Sequence, residues 1–334
     1  MKFIVPCLLL LIAVSLYYLL SPSPPPTEEQ LRSHLKDKVV LICGASSGIG
    51  EELAYQLADH GAKLVLVARN QAKLDAVKEG VMKIGATDVQ TISFDFSDVK
   101  GSSAVINQTI EWFGRLDYLV SNHAAIVHGA FLGFPHQQDP AYLEKIFRVN
   151  LFSHIELALH ALPHIEASKG HIFLTSSISS ITPFYQLAIY CSTKHAMNGF
   201  FYSLQQELLA RESPVSLTIG VYGFIATKEL SGLKMDEKLN VPGWARGDVT
   251  ECARGIVEAY ITRPLTVTYP RFSSNLKRIM WYFLPSFHEN VIQASKPAGS
   301  EGTGYQESLE FIHDKEKNAK KFNYQQGYGP KEGS

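Results

Sequence analysis

The chain has 334 residues, 46% hydrophobic and 19% charged, with 31 basic and 32 acidic side chains and a formal net charge of −1. That length and apolar content can bury a substantial core, and the balanced charge carries no electrostatic footprint for nucleic acid. The four cysteines, Cys7, Cys43, Cys191 and Cys252, are far apart and match neither a metal spacing nor a disulfide framework, so buried or half-buried thiols are expected.

Residues 3–20 form an apolar run of 18 residues broken only by Pro6 and Ser15. A helix that crosses a bilayer needs about 20. No small-x-small cleavage pattern follows, so an uncleaved signal-anchor is favoured over a cleaved signal peptide. Tyr17 and Tyr18 are placed to lie at the membrane interface. Residues 21–37, opening Ser-Pro-Ser-Pro-Pro-Pro, read as a Pro-rich linker that holds the domain off the membrane. The charges flanking the run do not fix which compartment holds that domain.

From Lys38 onward, strand and helix patterns alternate, which predicts a doubly wound, mostly parallel α/β sheet with helices on both faces. The apolar run Val39-Val40-Leu41-Ile42-Cys43 leads into Gly44-Ala45-Ser46-Ser47-Gly48-Ile49-Gly50 and then a helix through His60. Strand, glycine turn and helix are the context a dinucleotide loop requires. Gly44 permits the tight turn, Gly48 lets the backbone approach a pyrophosphate, Gly50 allows close helix packing, and the helix amides attract phosphate. The second strand, 63–68, ends at Arg69, with no acidic residue between Gly61 and Lys73 to take ribose hydroxyls. An arginine there suits a 2′-phosphate, so NADP is preferred over NAD, with Ser46 and Asn70 as further contacts.

A helix over 71–84 and a strand over 89–94 come next, followed by Asp95-Phe96, a carboxylate and a ring placed to hold an adenine. A fourth strand ends in Asn122-His123-Ala124; no second ligand lies at metal spacing from His123, so a backbone-positioning role is read for it. Asn150 sits in a helical stretch starting near 141, and residues 171–175 read as a buried parallel strand with Ser177 at its carboxyl end. Such a hydroxyl faces the crevice where open sheets bind ligands. Apolar spacing over 190–211 predicts a helix that puts Tyr190 and Lys194 one turn apart on one face. An ammonium so placed favours the phenolate and lowers the tyrosine pKa, making Tyr190 a candidate general acid/base.

In this order the elements resemble the short-chain dehydrogenase/reductase family over about residues 38–270: Gly44-x-x-x-Gly48-Ile49-Gly50, Asp95-Phe96, Asn122-His123-Ala124, Asn150, Ser177, Tyr190-x-x-x-Lys194 and 222–227. Within it, the amino-terminal run, Val67-Ala68-Arg69, Asn122-His123 and Asn198-Gly199-Phe200-Phe201 resemble the membrane-anchored 11-beta-hydroxysteroid dehydrogenase type 1 group. The resemblance implies that Tyr190 moves the proton at the substrate oxygen and that Ser177 hydrogen-bonds that oxygen. It implies too that Lys194 tunes Tyr190 and holds the nicotinamide ribose, that Asn150 binds a relay water, and that Ile225 and Thr227 touch the nicotinamide end. Cys43 departs from the family's usual threonine.

The expected protein is an NADP(H)-dependent oxidoreductase interconverting a hydroxyl and a carbonyl on a hydrophobic substrate, a steroid first. A retinoid or other lipid carbonyl, or a silent lipid-binding scaffold, stands as the alternative. Phe131, Phe134, Phe184, Tyr185, Tyr222 and Phe224 are expected on the substrate side. The resemblance further implies a single pass through the endoplasmic reticulum membrane with the domain on the lumenal side, and a homodimer as a possible assembly. The domain is expected over 38–290, with residues 272–287 forming an apolar helix that covers substrate, joins a dimer, touches the bilayer or packs in the core; a polar tail over 295–334 is expected to be disordered. Asn107-Gln108-Thr109 is a sequon within an expected helix.

Overall fold

All five side chains of Val39–Cys43 are buried, and the segment forms β1. A strand apolar on both sides belongs inside a parallel sheet with helices on each face. The computed structural model has that architecture; it describes residues 24–284 apart from 87, 128–130, 132–138, 185 and 229–240. The chain runs α1 (Glu28–Leu35), β1, α2 (Gly48–Asp59), β2 (Lys63–Ala68), α3 (Gln71–Lys83), β3 (Val89–Ser93), α4 (Ser102–Phe113) and β4 (Tyr118–Ser121). It continues through α5 (Pro140–Phe147), a π-helical turn (Arg148–Phe152), α6 (Ser153–Ser168), β5 (His171–Ser177) and α7 (Ala188–Ala210). The last elements are β6 (Ser216–Tyr222), β7 (Phe224–Ile225), β8 (Arg246–Gly247), α8 (Val249–Thr262), β9 (Thr266–Tyr269) and α9 (Arg271–Phe283).

Seven strands pair in the order β3-β2-β1-β4-β5-β6-β9, all parallel, while β7 and β8 form a separate parallel pair. Side chains alternate between the faces. Val40 and Ile42 join the layer under α1, α2, α3 and α8, whereas Val39, Leu41 and Cys43 join the layer under α4, α6 and α7. The strand order reverses between β1 and β4, so a crevice opens at their carboxyl ends. Cys43, Cys191 and Cys252 are buried free thiols.

One correction concerns the stretch read as a linker, because helix α1 occupies residues 28–35. Thr27 and Gln30 form a reciprocal capping box at its start. Leu31 and Leu35 then bury completely against the sheet layer. Arg32 pairs with Asp59, and His34 Nε2 meets the Tyr118 hydroxyl at 2.8 Å. The proline run hid a short amphipathic helix that docks on the domain.

Two further readings fall outside the described residues, namely the apolar run 3–20 and the tail 295–334. Among the described residues no helix is long and apolar enough to cross a membrane. Helix α9 covers most of the expected apolar stretch and leaves Phe272, Leu276, Ile279 and Phe283 exposed. Phe134 and Tyr185 also lie outside the described residues. Tyr222 belongs to the core rather than the substrate side: it is 3% exposed and packs in the layer with α8.

Candidate active site

The glycine turn sits at the carboxyl end of β1 and is crowded from behind. Gly44 has φ +87°, and a Cβ there would meet the backbone of His123 at 2.9 Å. A Cβ on Gly50 would lie 2.1 Å from the Gly44 carbonyl oxygen and 2.9 Å from Asn122 Nδ2. The turn therefore folds back on α2 at a distance that only hydrogen atoms allow. Asn122 fastens it, donating from its backbone to Cys43 O (3.0 Å) and from Nδ2 to Gly44 O (3.3 Å). Helix α2 starts at Gly48 with extended Ser47 as N-cap, and the Ser47 side chain makes no capping bond. Its first amides are thus left for an anion, which fits the phosphates of a dinucleotide. Thr227 lies against Gly48, its Cγ2 3.1 Å from where a Cβ would stand, at the mouth of the same cradle.

Replacing Gly50 by alanine should cost about 1–3 kcal/mol, because the obstacle is a backbone carbonyl that cannot rotate away. Gly199→Ala on α7 is the control, since nothing lies within 4 Å of its added Cβ. Denaturant midpoints should fall for the first and hold or rise for the second, and nicotinamide binding should weaken only in the first.

Arg69 is exposed two residues beyond Val67, whose partner is Cys43, so it stands at the same end of the sheet as the glycine turn. Asn70 is the N-cap of α3, its Oδ1 accepting from Lys73 N at 3.0 Å. Asp95 accepts from Ser97 N at 2.9 Å. The Phe96 ring is 4% exposed and stacks on His123, with centroids 3.6 Å apart, so it is committed to the interior rather than to an adenine edge. Ile225 is likewise 3% exposed, its side chain packed beside Gly247, which leaves its backbone as the part able to face a cofactor.

His123 lies in a column that the sequence did not disclose. Its ring stacks between Phe96 and His154, the latter 3.9 Å away. His123 Nε2 is 2.7 Å from Ser153 Oγ, which donates to Val149 O, so His123 carries its proton on Nε2. His154 Nδ1 meets Ser121 Oγ at 2.7 Å. Burial holds both imidazoles well below the usual histidine pKa, and Lys194 adds to the effect. Both are neutral wedges under the turn, in keeping with a positioning role for His123.

Ser177 ends β5 as the cap of a short 3-10 turn, Ile178–Ser180, and accepts from Ser179 N at 3.1 Å. The Ser177 side chain acts on the Tyr190 phenol and favours its ionised form. Lys194 is 1% exposed, donates to Thr175 O at 3.1 Å and lies 5.8 Å from the Tyr190 ring centroid. Asn150, in the π-helical turn, exchanges bonds with the Ala125 backbone (2.7 and 2.9 Å) and donates to Thr193 Oγ1 at 3.3 Å. Both of its amide hydrogens serve the protein, so the side chain ties the β4 loop to α7. Such π-turns recur at functional sites.

The i, i+4 spacing led to the expectation that Lys194 lowers the Tyr190 pKa, and the structure gives the opposite. Burial pushes the phenol up to about 12, with the Ser177 side chain opposing it, and pushes Lys194 down to about 7. A desolvated lysine turned toward a carbonyl has lost much of the charge advantage that the spacing promised.

The sequence profile of the short chain dehydrogenase family matches residues 38–238. The chain belongs to that family. Similar proteins include a hydroxysteroid 11-beta-dehydrogenase 1-like protein of Xenopus tropicalis, 34% identical over 266 residues, spanning 80% of this chain and 88% of the relative. An 11-beta-hydroxysteroid dehydrogenase-like 2 protein of Arabidopsis thaliana is 36% identical over 234 residues, 68% of this chain and 73% of its own. Among solved structures, levodione reductase superposes with a TM-score of 0.64 at 25% identity, covering 72% of this chain and 98% of its own. L-sorbose reductase from Gluconobacter frateurii, complexed with NADPH and L-sorbose, gives 0.61 at 23% identity over 70% and 95%.

Several residues in this short chain dehydrogenase escaped the sequence reading. Asn198 accepts from Ser176 Oγ and donates to Ser180 Oγ at 2.7 Å, bracing the turn that carries Ser177 from behind. Thr193 joins Asn150 to the Tyr190 carbonyl, to which it donates at 2.8 Å. Ser153 and His154 complete the histidine column. The available signals were the Asn198-Gly199-Phe200-Phe201 motif, read without a role for Asn198, and the position of Thr193 beside Lys194 on a helix already assigned to the site.

Proposed function

We propose that this protein is an NADP(H)-dependent oxidoreductase that interconverts a hydroxyl and a carbonyl on a hydrophobic substrate, with a steroid as the first candidate. The observation that carries it is Tyr190 on α7 with Lys194 one turn away, brought together with Ser177 at the carboxyl end of β5, whose side chain favours the phenolate. The names of the curated relatives support the substrate class, and the exposed Arg69 at the end of β2 supports a 2′-phosphate. The glycine cradle, the uncapped start of α2 and Thr227 would hold the dinucleotide, with the Lys194 side chain near its nicotinamide end. When bound, that cofactor supplies or takes a hydride at the substrate carbon.

The chain's own residues handle the oxygen. Ser177 donates a hydrogen bond to the carbonyl oxygen and favours the charge that builds there. Tyr190 gives its phenolic proton to the same oxygen as the alcohol forms. Lys194, Thr193 and Asn150 fix the geometry of that tyrosine and of the loop facing it. The apolar run over 3–20 is the proposed membrane tether, which would keep the domain near a lipid-soluble substrate.

Initial rates with NADPH and with NADH, against steroid, retinoid and simple aromatic ketones, test the reading. Turnover with NADPH is expected, and Arg69→Ala should raise KM for NADPH by about 10- to 100-fold, the worth of a charge-assisted contact, while NADH changes little. Equal losses with both cofactors would remove Arg69 from the 2′-phosphate role. No turnover of any ketone would remove the catalytic assignment.

A further inference from the structure

Helix α9 crosses the carboxyl end of the sheet next to the reacting groups. Ser177 pairs in register with Tyr222, and a Cβ on the following residue, Gly223, would meet Ser274 Oγ of α9 at 2.9 Å. One turn further along α9, Lys277 reaches the segment between Ser177 and Tyr190, its Nζ 4.8 Å from the centroid of the Phe184 ring. Lys277 and Phe184 therefore pack together beside the segment that runs from Ser177 to Tyr190.

The chemistry of that pair is unbalanced. Lys277 is largely withdrawn from water, and burial lowers its pKa. Among the described residues no carboxylate pairs with it, and α9 carries Arg271, Lys277 and Arg278 with no acidic residue in Arg271–Phe283. An ammonium desolvated against one aromatic face recovers only part of its lost hydration. An anion brought in by a ligand would restore the rest, and the apolar surroundings would strengthen that contact.

We propose that Lys277 is a specificity residue that recognises an anionic group, a carboxylate or a sulfate ester, on an otherwise apolar substrate whose carbonyl or alcohol lies at Ser177 and Tyr190. The proposal rests on the oxidoreductase reading above and narrows its substrate class to amphipathic acids.

Three ketones of one apolar skeleton test it: the neutral compound, its carboxylate and its sulfate ester, each assayed with NADPH on the full chain, on Lys277→Met and on Lys277→Arg. Wild type should prefer an anionic member. Lys277→Met should lower the anionic-to-neutral ratio of kcat/KM by about 10- to 100-fold, the worth of a hydrogen bond to a charged group, with the change in KM. Lys277→Arg should restore most of the ratio, and the better of the two anions names the source. A ratio that is the same in wild type and Lys277→Met overturns the proposal while leaving the reductase reading in place. A wild type that reduces none of the three, and no other ketone either, overturns both.

Discussion

Tyr190→Phe should lower kcat for carbonyl reduction by about 100- to 10,000-fold, the range typical of a lost general acid, with cofactor affinity little changed. The substitution removes one oxygen atom while leaving the ring in its place on α7. Binding should survive, because the glycine cradle and the start of α2 lie on other elements. The pH dependence should differ by direction. A phenol held near 12 stays protonated through the neutral range, so reduction, which needs the proton, should be nearly flat between about pH 7 and 9. Alcohol oxidation needs the phenolate and should rise about tenfold per pH unit over the same interval. Steady-state rates in both directions with wild type and Tyr190→Phe check this; equal pH profiles would contradict it.

Acid should destabilise this protein well above the carboxylate range. His123, His154 and His171 are buried, and burial holds all three down, His171 to about 3. A histidine kept neutral in the fold takes no proton, whereas the unfolded chain takes one below about pH 6.5. The unfolded state then binds more protons, so stability is intact above that value and is lost as the pH falls toward the folded values. Between pH 7 and pH 5 His171 alone should cost about 2 kcal/mol, a sizeable part of a typical domain's stability of about 5–15 kcal/mol, and His123 and His154 add to the loss in the same direction. Urea midpoints at pH 7, 6 and 5 measure it. His171→Asn should remove part of the loss, and a midpoint unchanged from pH 7 to 5 would contradict the buried, neutral assignment.

What the sequence disclosed has a common character. The glycine turn, the apolar strands and the Tyr190–Lys194 spacing are each set by residues close together in the chain. Helix α7 falls where periodicity placed it, within two residues. What stayed hidden depends on chain segments that meet only after folding. The stack of Phe96, His123 and His154 joins the ends of β3 and β4 to α6. The bracing of Ser176 and Ser180 by Asn198 links β5 to α7, and α1 finds its apolar partners across the domain. The pKa of Tyr190 failed for a related reason: spacing reports which groups are near each other, and burial decides what that nearness does.

A single-turnover experiment tests the central claim most directly. Protein preloaded with NADPH is mixed with a reactive ketone, and the loss of the reduced nicotinamide signal is followed in wild type, Ser177→Ala and Tyr190→Phe. The geometry predicts one decay in wild type, slowed at least about 100-fold in Tyr190→Phe and clearly slowed in Ser177→Ala, with NADPH bound equally in all three. Decay at the same rate in wild type and Tyr190→Phe would show that the Tyr190 hydroxyl does not carry the reaction.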